Sequence, residues 1–234
     1  MRIAKFMAHA GAASRRACED LIREGRVRVN GSVISDPAFD VDPETDSVYL
    51  GRKKLTIEEK KLYLMFNKPS GCVSTCSDDK GRKTVLDYID VKERIYPVGR
   101  LDFNSEGLLL ITNDGDLANR LTHPSHEVDK RYFAVVRGDV SGEDLAVLSH
   151  GVVIDGRKTA PAKFRITNAS PGKTELTVAI HEGRNRQIRK MFEAIGKEVI
   201  FLKRISVGKL VLGELKKGKY RELTEEEVTY LRSL

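Results

Sequence analysis

A single aspartate followed by an apolar run is the first place in this sequence where chemistry could occur. Asp102 lies between Gly99 and Gly107, and the stretch 108–112 after it predicts a buried strand. A carboxylate held at the end of a rigid strand can serve as a nucleophile or a base. Because most aspartates in loops only cap turns, the spacing alone leaves catalysis and turn capping both open.

A tyrosine preceded by two cations opens another strand-like segment, 132–136. Lys130 and Arg131 stand directly before Tyr132. A tyrosine in this setting can stack on an exposed base while the cations hold phosphate. The alternative is a tyrosine at a strand edge with its ring half buried.

A basic stretch begins the predicted helix 185–195. Its apolar positions recur at helical spacing: Ile188, Met191, Phe192 and Ile195. Arg189 stands about 100° round the helix from Ile188, so it flanks the buried stripe and needs an anion, either phosphate or a carboxylate. Arg186 and Lys190 point further outward. Cations at a helix start oppose the helix dipole, which favours an anionic ligand over a merely solvated surface.

Metal and cofactor motifs are missing from the sequence. Cys72 and Cys76 are not followed by a second pair of Cys or His at metal-ligand spacing, and in His123-Pro124-Ser125-His126 the proline breaks the helix that would align the two rings. Neither a phosphate-binding P-loop nor a dinucleotide-binding glycine motif occurs. We therefore expect no metal, nucleotide or redox cofactor.

The composition describes a folded, basic chain. Its 234 residues are 40% hydrophobic and 32% charged, with a formal net charge of +7. This apolar content supports a core and excludes wholesale disorder. No apolar run approaches the roughly 18 residues that a spanning helix needs, so no membrane association is expected. The N-terminus lacks the continuous apolar core of a signal peptide, which predicts a cytoplasmic protein.

Positive charge is concentrated in two stretches of the chain. Residues 1–30 carry a net charge of +4 and residues 181–221 a net charge of +8, whereas 36–46 is acidic. Two separate basic patches indicate a polyanionic partner, most simply a nucleic acid. The alternative is that both basic stretches only form charged surfaces exposed to water.

The first 48 residues predict two short helices and a hairpin. The first helix ends before Gly11, Ser14 caps the second, and Asn30-Gly31 forms a two-residue turn. Arginines lie at the start of the second helix and on the exposed face of the following strand: Arg15, Arg16, Arg26 and Arg28. Helix-start and strand arginines together form a surface suited to phosphates, although solvated charge remains an alternative.

The rest of the chain predicts an α+β domain with a mixed, mostly antiparallel sheet, because few strand–helix–strand units are visible. The predicted strands are 62–66, 108–112, 132–136, 163–166, 175–180 and 199–204. The predicted helices are 117–121, 142–148, 185–195 and one that starts at Thr224 with Glu227 in a capping box. We expect an N-terminal domain over 1–48, a linker with one last short strand over 49–61, and a catalytic domain over 62–234.

The N-terminal module resembles a small α/β RNA-binding domain, the S4 type. The resemblance rests on A-G-A-A-S-R-R, on G-R-V-R-V-N-G-S-V and on D-P-A, and it extends over residues 2–41. It implies that the four arginines of this module bind RNA.

Nearly the whole chain, from Arg2 to Leu223, resembles the bacterial ribosomal-RNA pseudouridine synthases of the RsuA-like family. The motifs are G-R-L-D followed by S-E-G-L-L-L and T-N-D-G, then K-R-Y, E-G-R-N-R-Q-I-R-K-M and G-K-Y-R-E-L. The resemblance implies that Asp102 is the catalytic aspartate, that Tyr132 packs on the target base and that Arg189 pairs with Asp102. The residues expected to bind RNA are Arg15, Arg16, Arg26, Arg28, Arg100, Lys130, Arg184, Arg186 and Lys190.

The reaction that the family implies converts a uridine to pseudouridine in ribosomal RNA without a cofactor. The run L-A-N-R-L-T-H-P resembles the large-subunit members of the family more than the small-subunit member, which implies a large-subunit target. The point of attack, ribose carbon 1′ or base carbon 6, stays open. A small-subunit or tRNA target, a non-catalytic assembly factor and a glycosidase with Glu106 or Asp114 as second carboxylate are the alternatives. The expected partner is ribosomal RNA or a pre-ribosomal particle, and the expected form is a monomer.

Overall fold

The computed structural model of the chain describes residues 1–57, 60–123 and 126–234. Four residues lie outside these ranges. They are Glu58 and Glu59 of the predicted linker, and Pro124 and Ser125 between the two histidines, of which Pro124 also ends the L-A-N-R-L-T-H-P run. The chain divides into an N-terminal unit (1–62, 91–94 and 113–115) and a C-terminal unit (63–90, 95–112 and 116–234). Within the described ranges, no helix combines the length and the apolar character that crossing a membrane requires.

Two short helices begin the N-terminal unit, as predicted. They are α1 (Ile3–His9) and α2 (Arg15–Arg23). Gly11 follows α1 with φ +73°, a conformation that favours glycine, and so ends that helix. Ser14 caps α2, because its hydroxyl accepts a hydrogen bond of 3.2 Å from the Ala17 amide.

The helices share a core with a four-stranded antiparallel sheet of order β2-β1-β3-β4. The strands are β1 (Val27–Val29), β2 (Ser32–Ile34), β3 (Val48–Leu50) and β4 (Lys53–Leu55). Asn30 and Gly31 join β1 to β2 with φ values of 49° and 88°, which confirms the predicted hairpin turn. Pairing of β4 with β3 extends the sheet to Leu55, inside the segment 49–61. The division into 1–48, 49–61 and 62–234 stays a prediction.

A nine-stranded sheet dominates the C-terminal unit. Seven of its strands follow the order β11-β12-β8-β13-β7-β5-β15, while β14 pairs with β13 and β6 with β7. The strands are β5 (Tyr63–Lys68), β6 (Tyr96–Val98), β7 (Glu106–Thr112), β8 (Lys130–Arg137), β11 (Lys163–Ser170), β12 (Lys173–Ile180), β13 (Val199–Val207), β14 (Leu210–Val211) and β15 (Tyr220–Glu222). Of the strand pairs that the described residues form in this sheet, only β7–β13 is parallel, so the predicted mixed, mostly antiparallel sheet is confirmed. A separate hairpin consists of β9 (Val153–Ile154) and β10 (Arg157–Lys158).

Four α-helices accompany this sheet in the described residues: α3 (Gly115–Thr122), α4 (Gly142–Ser149), α5 (Gln187–Glu193) and α6 (Glu225–Ser233). A short 3₁₀ turn spans Leu86–Tyr88. The capping box of α6 forms as predicted, with hydrogen bonds of 3.2 and 2.9 Å between Thr224 and Glu227. The predicted helix 185–195 was wrong at its start: α5 begins at Gln187 because Arg186 adopts a left-handed conformation with φ 52°.

The contact between β7 and β13 requires a glycine. Gly107 has φ +105°, and a Cβ atom there would lie 2.2 Å from the Arg204 carbonyl oxygen. All seven residues of β7 are buried. This strand therefore anchors the loop that contains Asp102 at a defined position beside β13.

Candidate active site

Asp102 lies where two grooves of the C-terminal unit meet. The first, a cleft of about 350 Å³, is also lined by Tyr132, Lys130 and Arg204. The second, a more polar groove of about 610 Å³, shares Arg100, Asp102, Arg184 and Arg186 with the first. The structure thus brings six predicted site residues to one place: Arg100, Asp102, Lys130, Tyr132, Arg184 and Arg186.

A buried lysine holds the Asp102 loop. Lys68, at the end of β5, has no exposed surface, and its ammonium donates to the carbonyl oxygens of Asp102 (3.0 Å) and Ser105 (2.9 Å). It also donates to the carbonyls of Pro69 and Phe103. Burial lowers the pKa of Lys68, while the nearby Cys72, Asp102 and Glu106 act in the opposite direction. Sequence reasoning missed this residue because Lys68 resembles an ordinary charge at a strand end.

A second contact fixes the other side of the loop. The Ser74 hydroxyl accepts from the Leu101 amide at 3.1 Å and donates to the Leu101 carbonyl at 2.9 Å. Ser74 is buried, and its partner immediately precedes Asp102. The backbone of the loop is therefore held at both ends, which limits the directions in which the Asp102 carboxylate can point.

Arg189 also contacts this loop, but through its backbone. The guanidinium is 8% exposed and donates to the carbonyls of Val199 (2.6 Å) and Asn104 (3.4 Å). Burial and the charge of Arg186 lower the pKa of Arg189, whereas Asp102 raises it. Among the described residues, no carboxylate oxygen of Asp102 lies within 4.0 Å of an Arg189 nitrogen, so the direct ion pair implied by the resemblance is not formed here. The guanidinium instead donates to these two carbonyls, and its Nε is buried without a hydrogen-bond partner in the part of the chain that the structure describes.

Tyr132 lies on the floor of the cleft. It is 8% exposed, and on the neighbouring strand β13 it faces Arg204. Lys130 lies two positions earlier on the same face of β8. Its ammonium donates to the carbonyls of Val128 (2.9 Å) and His181 (3.1 Å), and burial together with Arg204 lowers its pKa. Lys130 is therefore a fixed, partly buried donor rather than a mobile surface cation.

Two of the predicted RNA-binding cations contact the β9–β10 hairpin. Arg184 donates to the carbonyl of Arg157 at 3.0 Å and also to those of Ile154 and Lys158. The Lys190 ammonium lies 2.6 Å from Asp155 in the hairpin turn. These contacts hold the hairpin against the start of α5. A role of either side chain in RNA binding stays a prediction.

The two remaining predicted cations of the grooves are more accessible. Arg186 is exposed, and its nearest carboxylate is Glu193 at 3.6 Å. Arg100 is exposed, and its guanidinium has no hydrogen bond or ion pair with any described residue. Both can therefore meet a ligand phosphate without first breaking a strong contact within the protein.

The N-terminal unit displays its cations on a different kind of surface. Arg15 and Arg16 are exposed, and their guanidinium groups contact no carboxylate among the described residues. Arg26 is 3.7 Å from Glu24, and Arg28 donates to the Gly51 carbonyl at 3.2 Å.

A row across the sheet of this unit adds two residues that sequence reasoning missed. Strand pairing aligns Arg28 with Tyr49 and Tyr49 with Lys54. An aromatic ring between two cations on an exposed sheet face is suited to a stacked base with flanking phosphates. The signal was hidden because the pairing of β1 with β3 joins segments far apart in sequence.

Comparison with known proteins assigns the chain. The sequence pattern described as RNA pseudouridylate synthase matches residues 62–194, more than half of the chain. The protein belongs to the RNA pseudouridine synthase family. It is accordingly an isomerase that acts on RNA. The S4 domain pattern matches residues 1–47, which confirms the predicted N-terminal RNA-binding module.

Several pseudouridine synthases are similar over the full length. Ribosomal large subunit pseudouridine synthase B of Bacillus subtilis is 47% identical, with 100% of this chain and 96% of that protein covered. An uncharacterised RNA pseudouridine synthase of Aquifex aeolicus is 41% identical, over 99% of this chain and 93% of that one. A crystal structure of a pseudouridylate synthase is 33% identical, covers 99% of both chains and has a TM-score of 0.72.

The site of this pseudouridine synthase combines a carboxylate, an aromatic ring and several cations. In the described residues, no cluster of three or more His, Cys, Asp or Glu side chains has the arrangement of a metal site. The three cysteines are free thiols, with Cys18 and Cys72 buried and Cys76 exposed. The His123 and His126 rings lie 6.2 Å apart, edge to face.

Proposed function

We propose that this pseudouridine synthase isomerises a specific uridine of ribosomal RNA in the large subunit, with Asp102 as the nucleophile. The observation that carries the proposal is the position of Asp102, at the junction of two grooves and on a loop held by buried donors. The full-length similarity to a large-subunit enzyme of Bacillus subtilis supports the choice of target. Ribosomal RNA, free or in a pre-ribosomal particle, is the proposed partner.

The reaction needs a nucleophile and room for the base to turn. The Asp102 carboxylate attacks the uridine, at ribose carbon 1′ or at base carbon 6. The bond between N1 and carbon 1′ breaks, and the uracil rotates. Carbon 5 then bonds to carbon 1′, and the bond between Asp102 and the substrate breaks, which restores the free carboxylate. Carbon 5 loses a proton and N1 gains one, so the product is an isomer of the substrate and no further reactant is required.

The surrounding residues fit a flipped-out nucleotide. Extruding a base costs on the order of a few kcal/mol, which phosphate contacts can offset. Arg100 and Arg186 supply such contacts along the polar groove. Tyr132 packs on the base and displaces water from the glycosidic bond, which opposes simple hydrolysis. Arg189 and Lys68 act as positioning residues, because both bind the backbone of the Asp102 loop.

A matched pair of isosteric changes tests the nucleophile. Asp102→Asn removes the nucleophilic oxygen at nearly constant shape, so pseudouridine formation should fall below detection while RNA affinity stays nearly unchanged. Asp139→Asn makes the same chemical change at an exposed position outside both grooves and should leave both quantities as in the wild type. Pseudouridine formed by a clean preparation of Asp102→Asn would contradict the assignment.

Mapping pseudouridine in cells that lack this protein tests the target. The proposal expects one or a few sites to revert to uridine in large-subunit RNA. Reversion only in small-subunit RNA or in tRNA would overturn the choice of target without affecting the assignment of Asp102.

A further inference from the structure

Two cations without a carboxylate partner lie on the floor of the cleft beside Tyr132. Arg204 is 5% exposed and donates from its Nε to the Leu108 carbonyl at 2.7 Å. Lys130 donates to two carbonyls, those of Val128 and His181. Neither cation lies within 4.0 Å of a carboxylate in the part of the chain that the structure describes. Strand pairing places Arg204 directly opposite Tyr132, and Lys130 lies on the same face.

This arrangement is unfavourable unless an anion completes it. A buried charge loses its hydration, and neutral carbonyls replace only part of it. Arg204 also lowers the pKa of Lys130, so the two positive charges oppose each other. Natural proteins place such uncompensated charge where a ligand, or a charge that develops during a reaction, restores the balance.

The position of the pair indicates which anion it meets. The cleft around it is lined by apolar side chains, among them Leu110, Val128 and Leu202. A flat, delocalised anion suits such a floor. A compact phosphate suits the polar groove, where Arg100 and Arg186 are exposed. Tyr132, the neighbour of Arg204, is the residue on which the target base is proposed to pack.

We propose that Lys130 and Arg204 contact the carbonyl oxygens of the target uracil and stabilise the negative charge that develops on it when it detaches. This inference rests on the proposed function. When the bond between N1 and carbon 1′ breaks, its electron pair stays on the base and is shared with O2 and O4. The two cations lower the energy of that anion and release it when carbon 5 forms the new bond. Neither residue donates a proton in this account.

The acidity of the departing base provides the test. 5-Fluorouracil is a more acidic base than uracil, so its anion is more stable by itself. The reaction rate of a 5-fluorouridine substrate should therefore depend less on the two cations. RNA substrates with uridine or 5-fluorouridine at the target position are compared under single-turnover conditions. The measured quantity is the rate at which the N-glycosidic nucleoside disappears. Nuclease digestion of samples taken over time, with mass spectrometry of the nucleosides, gives this rate.

Arg204→Gln and Lys130→Gln are the informative variants. Removing a preorganised donor typically costs about 10²–10³-fold in rate, so each variant should lose about that much on uridine and roughly tenfold less on 5-fluorouridine. Lys203→Gln is the control, since it removes a neighbouring cation of β13 that alternation places on the other face of the sheet. It should leave both rates near those of the wild type.

The outcomes separate the possible explanations. An equal loss on both substrates would overturn the proposal, because the cations would then act through affinity or folding. If thermal unfolding shows that Arg204→Gln does not fold, the result with Lys130→Gln decides, since Lys130 is only partly buried. Failure of the wild type to form pseudouridine from the uridine substrate would instead refute the proposed function.

Discussion

Positively charged side chains have different environments in the two units of this protein. In the N-terminal unit, Arg15 and Arg16 are exposed and free of carboxylate contacts among the described residues. In the C-terminal unit, Lys68 and Arg189 are buried and donate to backbone carbonyls around Asp102. Exposed cations attract phosphates from a distance and are screened by salt. Buried cations instead fix a backbone, an effect that salt hardly changes.

The largest expected effect is the loss of the buried lysine. Lys68→Met keeps most of the side-chain length but leaves the carbonyls of the Asp102 loop without their donor. An unsatisfied buried acceptor costs about 1–3 kcal/mol, so the free energy of unfolding should fall on the order of 3 kcal/mol or more. Urea denaturation measures it. Lys80→Met, at an exposed position, should stay within about 0.5 kcal/mol of the wild type, and equal effects of the two variants would contradict the comparison.

Arg189→Met should have the next largest effect, on turnover rather than on binding. Without its bond to the Asn104 carbonyl, the loop can shift, and a misplacement near 1 Å costs about 10²-fold in rate. Single-turnover rates and equilibrium RNA binding measure the two quantities separately.

Arg186→Met is the matched control for this change, because Arg186 is exposed in the same segment. It should weaken RNA binding and keep the rate at saturating RNA. The positioning role of Arg189 would be wrong if Arg189→Met lost affinity and kept its single-turnover rate.

The smallest expected effect concerns the exposed cations. The double variant Arg15→Gln/Arg16→Gln should lower the slope of log affinity against log salt by roughly 1.5–2, if each arginine neutralises one phosphate. Arg23→Gln should change the slope little, because Arg23 is engaged with Glu19 and Asp20. Binding to an rRNA fragment at several salt concentrations provides the measurement. An unchanged slope in the double variant would mean that these arginines are only solvated surface charge.

The sequence by itself determined the local features of this protein. The Asn30-Gly31 turn, the Ser14 cap and the capping box of the last helix were predicted and are present. Each depends on residues within a few positions of one another, whose backbone preferences hold in almost any context. The motif around Asp102 also identified the family, because its residue types and spacing are specific.

Only the tertiary structure decided which groups surround the aspartate. Lys68 and the Asp102 carbonyl are separated by 34 residues, Arg189 and Asn104 by 85, and Arg204 and Leu108 by 96. No local pattern reports these contacts, since each joins segments that are distant in sequence and that only the tertiary structure brings together. Lys68, which resembled an ordinary charge at a strand end, therefore proved to be a buried donor to the Asp102 loop. Its role follows from the long-range strand pairing, which removes it from water and aims it at the backbone beside Asp102.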